Sequence, residues 1–225
     1  MPCFTVGSST AQIVSKLLGV PLYKFSHQQG HIAAAVYSSG KEELLSRDFI
    51  AFHISGGTTE AVLVTPDDEN IISTRIIAQT LDLNAGQAVD RTGLMLGLDF
   101  PCGVQLEQLA LKSQRSFSPK PTLKGCDCCI SGLENKCRKM LDDGEKGEDI
   151  ALFCLKYIEQ TLLSMSRQLL RKYGQLPILF AGGVMSNSII KEGLNRELDC
   201  CFAKPEFSCD NAAGVAYLTY LAHRR

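Results

Sequence analysis

The sequence has no excess charge of either sign. Lys and Arg number 23, Asp and Glu 24, giving a formal net charge of −1 over 225 residues. That balance excludes bulk electrostatic attraction as the driver of nucleic-acid or membrane binding. Basic residues gather at Lys136-Cys137-Arg138-Lys139 and at His223-Arg224-Arg225, but such runs are usual for solvated helix faces and tails. No apolar run is long enough to cross a bilayer. No secretory leader of basic, apolar and small-residue parts is expected, and no internal repeat is evident. The ten cysteines therefore do not read as a disulfide scaffold, and reduced thiols in a cytoplasmic protein are the expectation. Cys126 and Cys129 form one C-x-x-C. Cys200, Cys201 and Cys209 do not supply the second pair that a structural zinc site needs.

A chain of this length can bury one good core or two small lobes. It is organised around Asp48–Glu60, DFIAFHISGGTTE, followed at once by AVLVTP. The stretch predicts a strand, a tight glycine turn and a second strand. Paired glycines let the backbone reverse and expose successive N–H groups, and such a loop can cradle phosphate. It is equally the pattern of an ordinary hairpin. A second apolar strand, Leu176–Phe180, is closed by Ala181-Gly182-Gly183-Val184-Met185-Ser186-Asn187 and a helix from about Ser188. That order aims helix N–H groups at an anion, or is simply a tight strand-to-helix turn.

His27 and His31 are four residues apart in a predicted helix, so they share a face. Two imidazoles at that spacing can bind one metal ion when a third ligand arrives from elsewhere; otherwise they are two polar residues lying together. No Glu stands between them in the zinc-protease H-E-x-x-H arrangement. Asp210 precedes a terminal helix over Ala212–Leu221 and is either its N-cap or that third ligand. Asp90 falls inside a helix, where Asp is a poor former; it is an exposed surface residue or a ligand-facing carboxylate.

The remaining elements follow in order. A helix capped by Ser8 or Ser9 runs to about Leu18, and Pro21–Phe25 is a short strand. Gly40–Ser46 is a polar connection. Ile71–Ala78 completes an antiparallel meander with the central hairpin. A helix runs from Asp82 or Asn84 to about Leu96, and another from Gln105 to Leu111. Lys112–Lys124 is a surface loop, Cys126–Ile130 an edge strand, and Ser131 caps a helix ending near Leu141. The longest helix runs from Asp149 or Ile150 to Tyr173, with Leu152, Leu155, Ile158, Leu162, Met165 and Leu169 as core. Asp199–Ala203 is the last strand. The mixture predicts an α/β fold.

Seven segments, in order, carry a resemblance: SHQQGH at Ser26–His31, HISGGTTE at His53–Glu60, TLDLNAGQAVDR at Thr80–Arg91, DFPCG at Asp99–Gly103, SGLE at Ser131–Glu134, AGGVMSNS at Ala181–Ser188 and CDNAAG at Cys209–Gly214. The chain resembles the threonylcarbamoyl transferases of tRNA t6A synthesis, long labelled O-sialoglycoprotein endopeptidases (the glycoprotease family). The resemblance implies the fold of actin, sugar kinases and heat-shock ATPases. It implies a remainder of the first lobe at 1–46, to which 207–225 returns, and a second lobe at 47–206. It implies His27, His31 and Asp210 as ligands of one divalent metal, usually iron and sometimes zinc. His53, Ile54, Ser55, Gly56 and Gly57 match the phosphate-proximal loop. Asp90, Gly103 and Asn187 match positions that hold an adenine nucleotide or threonylcarbamoyl-adenylate. The implied partners are tRNA and helper proteins of the pathway, and no catalytic side chain is assigned.

Three departures from the family pattern shape the expectation. The match starts inside the first lobe, as in an N-terminally truncated form with that lobe incomplete. Thr58 stands where the family has His, and Leu83 and Gln87 stand where it has carboxylates, as in a divergent paralogue. Beside the transferase, two further classes are therefore carried: a non-catalytic nucleotide- or partner-binding module, self-associating through the incomplete lobe, and a metalloprotease.

Overall fold

The computed structural model describes residues 2–207 and 212–225. Its centre is a five-stranded mixed sheet in the order β3-β2-β1-β6-β7. Strands β1 (Phe49–Ile54), β2 (Thr59–Asp67) and β3 (Ile71–Gln79) form the antiparallel meander, while β6 (Ile178–Ala181) pairs parallel with β1 and β7 (Cys200–Phe202) pairs parallel with β6. β1 is apolar on both faces because both are covered. Ile50, Phe52 and Ile54 enter one core, and Phe49 and Ala51 enter another on the opposite face. Strand periodicity sends alternate residues to opposite faces, so His53 belongs to the face of Phe49 and Ala51.

The first core lies under α6 (Gly147–Tyr173), whose Leu155, Ile158, Leu162, Met165 and Leu169 are buried at the expected helical spacing. Leu152 is half-buried and packs against the same core. Around it lie α3 (Ala85–Met95), α4 (Gly103–Ala110), α5 (Gly132–Asp142) and α7 (Ser188–Glu197). The other face is covered by α2 (His27–Ser39), which packs against α8 (Ala213–His223). Side chains 33 to 36 of α2 are Ala, Ala, Ala and Val and all are buried, which lets the helix lie close to its neighbours. Ser26 caps α2 through a capping box with Gln29, and Gly40 ends it in the left-handed conformation.

Several expected elements differ. Pro21–Phe25 forms no strand; an isolated pentapeptide needs a neighbouring strand to satisfy its backbone, and among the described residues none pairs with it. The basic stretch expected as a loop ends in β4 (Thr122–Lys124), paired antiparallel with β5 (Asp127–Cys129) through a turn with Gly125 at φ +63°. Ser131 does not accept a capping bond from α5; its hydroxyl instead donates to Asp82. The first helix, α1, spans Pro2–Leu18 rather than starting at Ser8, and Val6, Ile13, Val14, Leu17 and Leu18 on it are exposed.

Candidate functional site

Two cavities of about 350 Å³ each lie on opposite faces of the sheet, at the carboxyl end of β1. Ligands of open α/β sheets bind at such ends. Between them stands the turn from Ser55 to Thr58. Ser55 N–H donates to the Thr58 carbonyl at 2.7 Å, and the Ser55 hydroxyl accepts from Gly57 N–H at 3.3 Å and Thr58 N–H at 3.1 Å. These bonds fix the turn internally.

The first cavity is a histidine chamber lined by His27, Gln28, His31, His53, Ser55, Thr58 and Glu60. The i, i+4 spacing on α2 does bring the two histidines together: Nε2 of His31 lies 2.9 Å from Nε2 of His27. Two imidazoles on one ion at a metal–nitrogen distance of about 2.1 Å place their nitrogens roughly 3.0 to 3.4 Å apart. The pair therefore fits a shared ion closely, and without one it fits a single N–H···N bond. Among the described residues, no three imidazole, thiol or carboxylate groups converge on one point as placed. Asp210, the expected third ligand, lies outside the described residues.

The second cavity is lined by Gly56, Gly86, Val89, Asp90, Pro101, Gly103, Val104, Glu107, Leu155, Gly183, Val184, Ser186 and Asn187. Asp90, Gly103 and Asn187, far apart in sequence, meet here. Asn84 opens α3 through a capping box with Gln87, which sets the helix phase that turns Asp90 inward. Asp90 Oδ1 accepts from Cys102 N–H at 2.9 Å, which ties it to the bend at the cis Phe100–Pro101 bond. Asn187 accepts from Ile190 N–H at 3.1 Å as the N-cap of α7, so its amide nitrogen remains to donate.

The start of α7 is not the open anion site its sequence suggests. Ser188 N–H and hydroxyl both donate to Glu107 Oε1, the N–H at 2.7 Å. A carboxylate from α4 has taken the place of a bound anion, which the helix dipole favours. Together Asp90 and Glu107 give the chamber carboxylate acceptors, which suit hydroxyls rather than phosphate. Gly56, whose N–H makes no hydrogen bond among the described residues, lines this chamber beside Gly103 and Gly183.

The turn residues divide between the chambers. His53 and Ser55 face the histidine side and Gly56 the other. Ile54 is fully buried in the core, so only its main chain can meet a ligand. Gly57 lines neither chamber. Gly86 packs directly on the turn, donating its N–H to the Ser55 carbonyl at 3.1 Å. Thr59 Oγ1 accepts from Ala85 N–H at 2.9 Å and binds the start of α3 to the hairpin.

Sequence reasoning missed Glu107, Glu60, Gln28 and Cys102. Glu107 lies four residues after Gly103 and so shares its helix face, a signal available from the spacing. Glu60 was available by counting back across the hairpin, where it pairs with His53. Asp82 also emerges as a hub. Burial pushes its carboxyl up, but hydrogen bonds from the Ser131 hydroxyl and the Ile130, Leu83 and Ser131 amides outweigh that and hold it below the usual carboxylate value.

Three solved structures share the architecture. The HypF structure from T. kodakarensis superposes with a TM-score of 0.68 at 14% identity, covering 96% of this chain and 39% of that one. A full-length HypF in its phosphate- and nucleotide-bound form gives 0.66 at 12% identity, covering 89% and 36%. Component A of (R)-2-hydroxyglutaryl-CoA dehydratase from Acidaminococcus fermentans gives 0.55 at 16% identity, covering 94% and 74%. The chain thus spans well under half the length of the two HypF chains. At these identities the likeness is one of fold, and that fold is the actin-like ATPase type. The sequence profile of the tRNA N6-adenosine threonylcarbamoyltransferase family, TsaD, matches residues 1–217. The chain, with its two chambers meeting at one glycine turn, belongs to the tRNA N6-adenosine threonylcarbamoyltransferase family.

Proposed function

We propose that this chain is a metal-dependent transferase acting on a threonylcarbamoyl-adenylate-like ligand and on tRNA. The observation that carries the reading is the placement of two different chambers on either side of the Ser55–Thr58 turn. A nucleoside lies in the chamber of Asp90, Glu107 and Asn187, where the two carboxylates accept from its ribose hydroxyls and the Asn187 amide donates. Its phosphate lies at the turn, against the Gly56 N–H. The acyl group then reaches across the turn into the histidine chamber. There His27 and His31, with Asp210, would hold one divalent ion, iron before zinc. Such an ion supplies Lewis-acid polarisation of the carbamoyl carbonyl. The N6 amine of adenosine 37 in an ANN-decoding tRNA attacks that carbonyl. A C–N bond forms, the bond from the carbonyl carbon to the phosphate oxygen breaks, and AMP leaves as the amine gives up its proton to water.

The partners of this reading are tRNA and helper proteins of the t6A pathway. We also propose the two-lobe division at 46/47 and 206/207, and a cytoplasmic setting. No described helix is long and apolar enough to cross a membrane, and the eight cysteines from Cys102 to Cys201 are free, which suits a reducing compartment. The reading is tested by the metal content of the purified chain beside His27→Ala and Asp210→Ala. Near-stoichiometric iron or zinc, lost in both variants, is expected. Absence of metal from every form refutes the transferase site.

One observation favours a second reading, a partner-binding or self-associating module. The exposed apolar residues of α1, Leu17 at 79% and Leu18 at 68% among them, form a face that water does not favour. Concentration-dependent association, abolished by Leu17→Glu, supports that reading; a monomer at all concentrations removes it.

A further inference from the structure

A polyanion such as tRNA has to be held by a local surface here, because the chain as a whole carries a net charge of −1 and offers no bulk attraction. One stretch departs from that balance. Between Glu107 and Asp127 there is no acidic residue, and Lys112, Arg115, Lys120 and Lys124 give the stretch a charge of +4. The other basic runs are placed differently. Arg225 donates to the Asp67 and Asp68 carbonyls at the β2–β3 turn, the end of the sheet remote from the chambers. The Lys136–Lys139 run shares α5 with Glu134 and Asp142.

The acid-free stretch is joined to the second chamber by α4. Gly103, Val104 and Glu107 on α4 line that chamber, and Lys112 follows the helix, about 13 Å along its axis from Gly103 at 1.5 Å per residue. The stretch is also pinned. Ser113 Oγ donates to Asp149 Oδ1 at 2.5 Å, Arg115 pairs with Glu145 and Asp149, and the Phe117 ring meets Phe153 edge-on at 5.5 Å. Pro119 and Pro121 fix their own φ angles, and β4 is paired to β5. Arg115 is neutralised by its two carboxylates. Lys112, Lys120 and Lys124, by contrast, are exposed and pair with no carboxylate among the described residues. Cations displayed on a backbone that is already ordered lose less freedom when they meet a partner. We propose that Lys112, Lys120 and Lys124 form a rail for the phosphate backbone of tRNA beside the nucleotide chamber. The inference rests on reading tRNA as the substrate. Phosphate contacts set register and orientation and carry no sequence information, so the rail positions the strand that bears adenosine 37 and does not select it.

The test measures binding of an ANN-decoding tRNA transcript to the full chain by fluorescence anisotropy over a series of NaCl concentrations. Each single-strand phosphate contact contributes about 0.7 to the slope of log affinity against log salt. Lys112→Gln, Lys120→Gln and Lys124→Gln together should therefore flatten the slope by about 2, which over the decade from 1 M to 0.1 M salt is about 100-fold weaker binding at 0.1 M. Made singly, each should weaken binding about 5-fold at 0.1 M by the same arithmetic, which keeps the test open should the triple variant fold poorly by circular dichroism. The same three positions changed to Arg should keep both slope and affinity. Lys136→Gln, Arg138→Gln and Lys139→Gln remove an equal charge from α5 and should leave the slope unchanged. A wild-type slope in the Lys112, Lys120 and Lys124 variants, or an equal loss in the α5 variant, overturns the rail while leaving tRNA as the substrate. No binding of tRNA by the wild type at any salt concentration overturns the substrate reading and the rail with it. Loss of binding to phosphatidylserine vesicles in the triple Gln variant, with tRNA binding kept, overturns the rail in favour of a membrane surface.

Discussion

Gly86→Ala separates folding from ligand binding more cleanly than any other change in this site. A Cβ at Gly86 would lie 2.6 Å from Gly56 N, 2.7 Å from Gly56 Cα and 2.7 Å from the Ser55 carbonyl oxygen. All three contacts are backbone, so no side chain can swing aside. Restoring an ordinary 3.4 Å contact moves α3 and the turn apart by about 0.8 Å. Overpacking of this kind costs about 1 to 3 kcal/mol, while Ala in place of a helical Gly returns about 1 kcal/mol. The net loss is therefore about 0 to 2 kcal/mol, a drop in Tm of less than about 8 °C at this size. The Gly56 N–H, however, moves by nearly an ångström, and misplacement on that scale costs reactive geometry about 100-fold. We expect AMP affinity by calorimetry to fall about tenfold or more while urea denaturation shifts little. Gly132→Ala is the control, since an added Cβ there meets nothing within 4 Å. AMP binding within twofold of wild type in Gly86→Ala would refute the placement of the phosphate at this turn.

Other expectations follow from the same geometry. Glu107→Ala should leave Ser188 N–H without its carboxylate, costing about 1.5 to 3 kcal/mol as for a bond to a charged group; Glu107→Gln, which keeps an acceptor, should recover most of that in denaturation. Asp82 has a folded pKa below its unfolded 3.8. Its contribution to stability is therefore complete above pH 3.8 and disappears as pH falls through the folded value; acid titration of Asp82→Asn should lack that component, and an identical acid limb in both proteins contradicts it. Burial raises the thiols of Cys128 and Cys200 to about 12, and thiolate is the nucleophile. Alkylation at pH 8 read by mass spectrometry should spare both in the native protein and reach them after unfolding.

Much of the fold was legible because its elements have strong local causes. The two apolar runs around Gly56-Gly57 and the Leu155-to-Leu169 spacing each specify their own geometry before any tertiary contact. Pro21–Phe25 was misread for the complementary reason: a strand is a pairing, and no local pattern reveals whether a partner exists. Within the site, the sequence marked Asp90, Gly103 and Asn187 by resemblance, and the structure shows one cavity joining them. The occupation of the α7 N-terminus by Glu107 was hidden because it depends on two helices 81 positions apart in sequence. The division of the turn between two faces was hidden less deeply. Strand parity places His53 and Ile54 on opposite sides, once one knows that both sides of β1 are covered.

That parity has a thermodynamic consequence. The two chambers are separated by the thickness of one strand and a turn of four residues, and the turn is bonded to itself rather than free to flex. Whatever either ligand does to the turn is therefore passed to the other with little loss. Binding free energies coupled through one element are reciprocal. If a metal ion and AMP bind as proposed, the factor by which the ion tightens AMP must equal the factor by which AMP tightens the ion, and the glycine turn would be a balance arm whose two pans are loaded from opposite faces of the sheet.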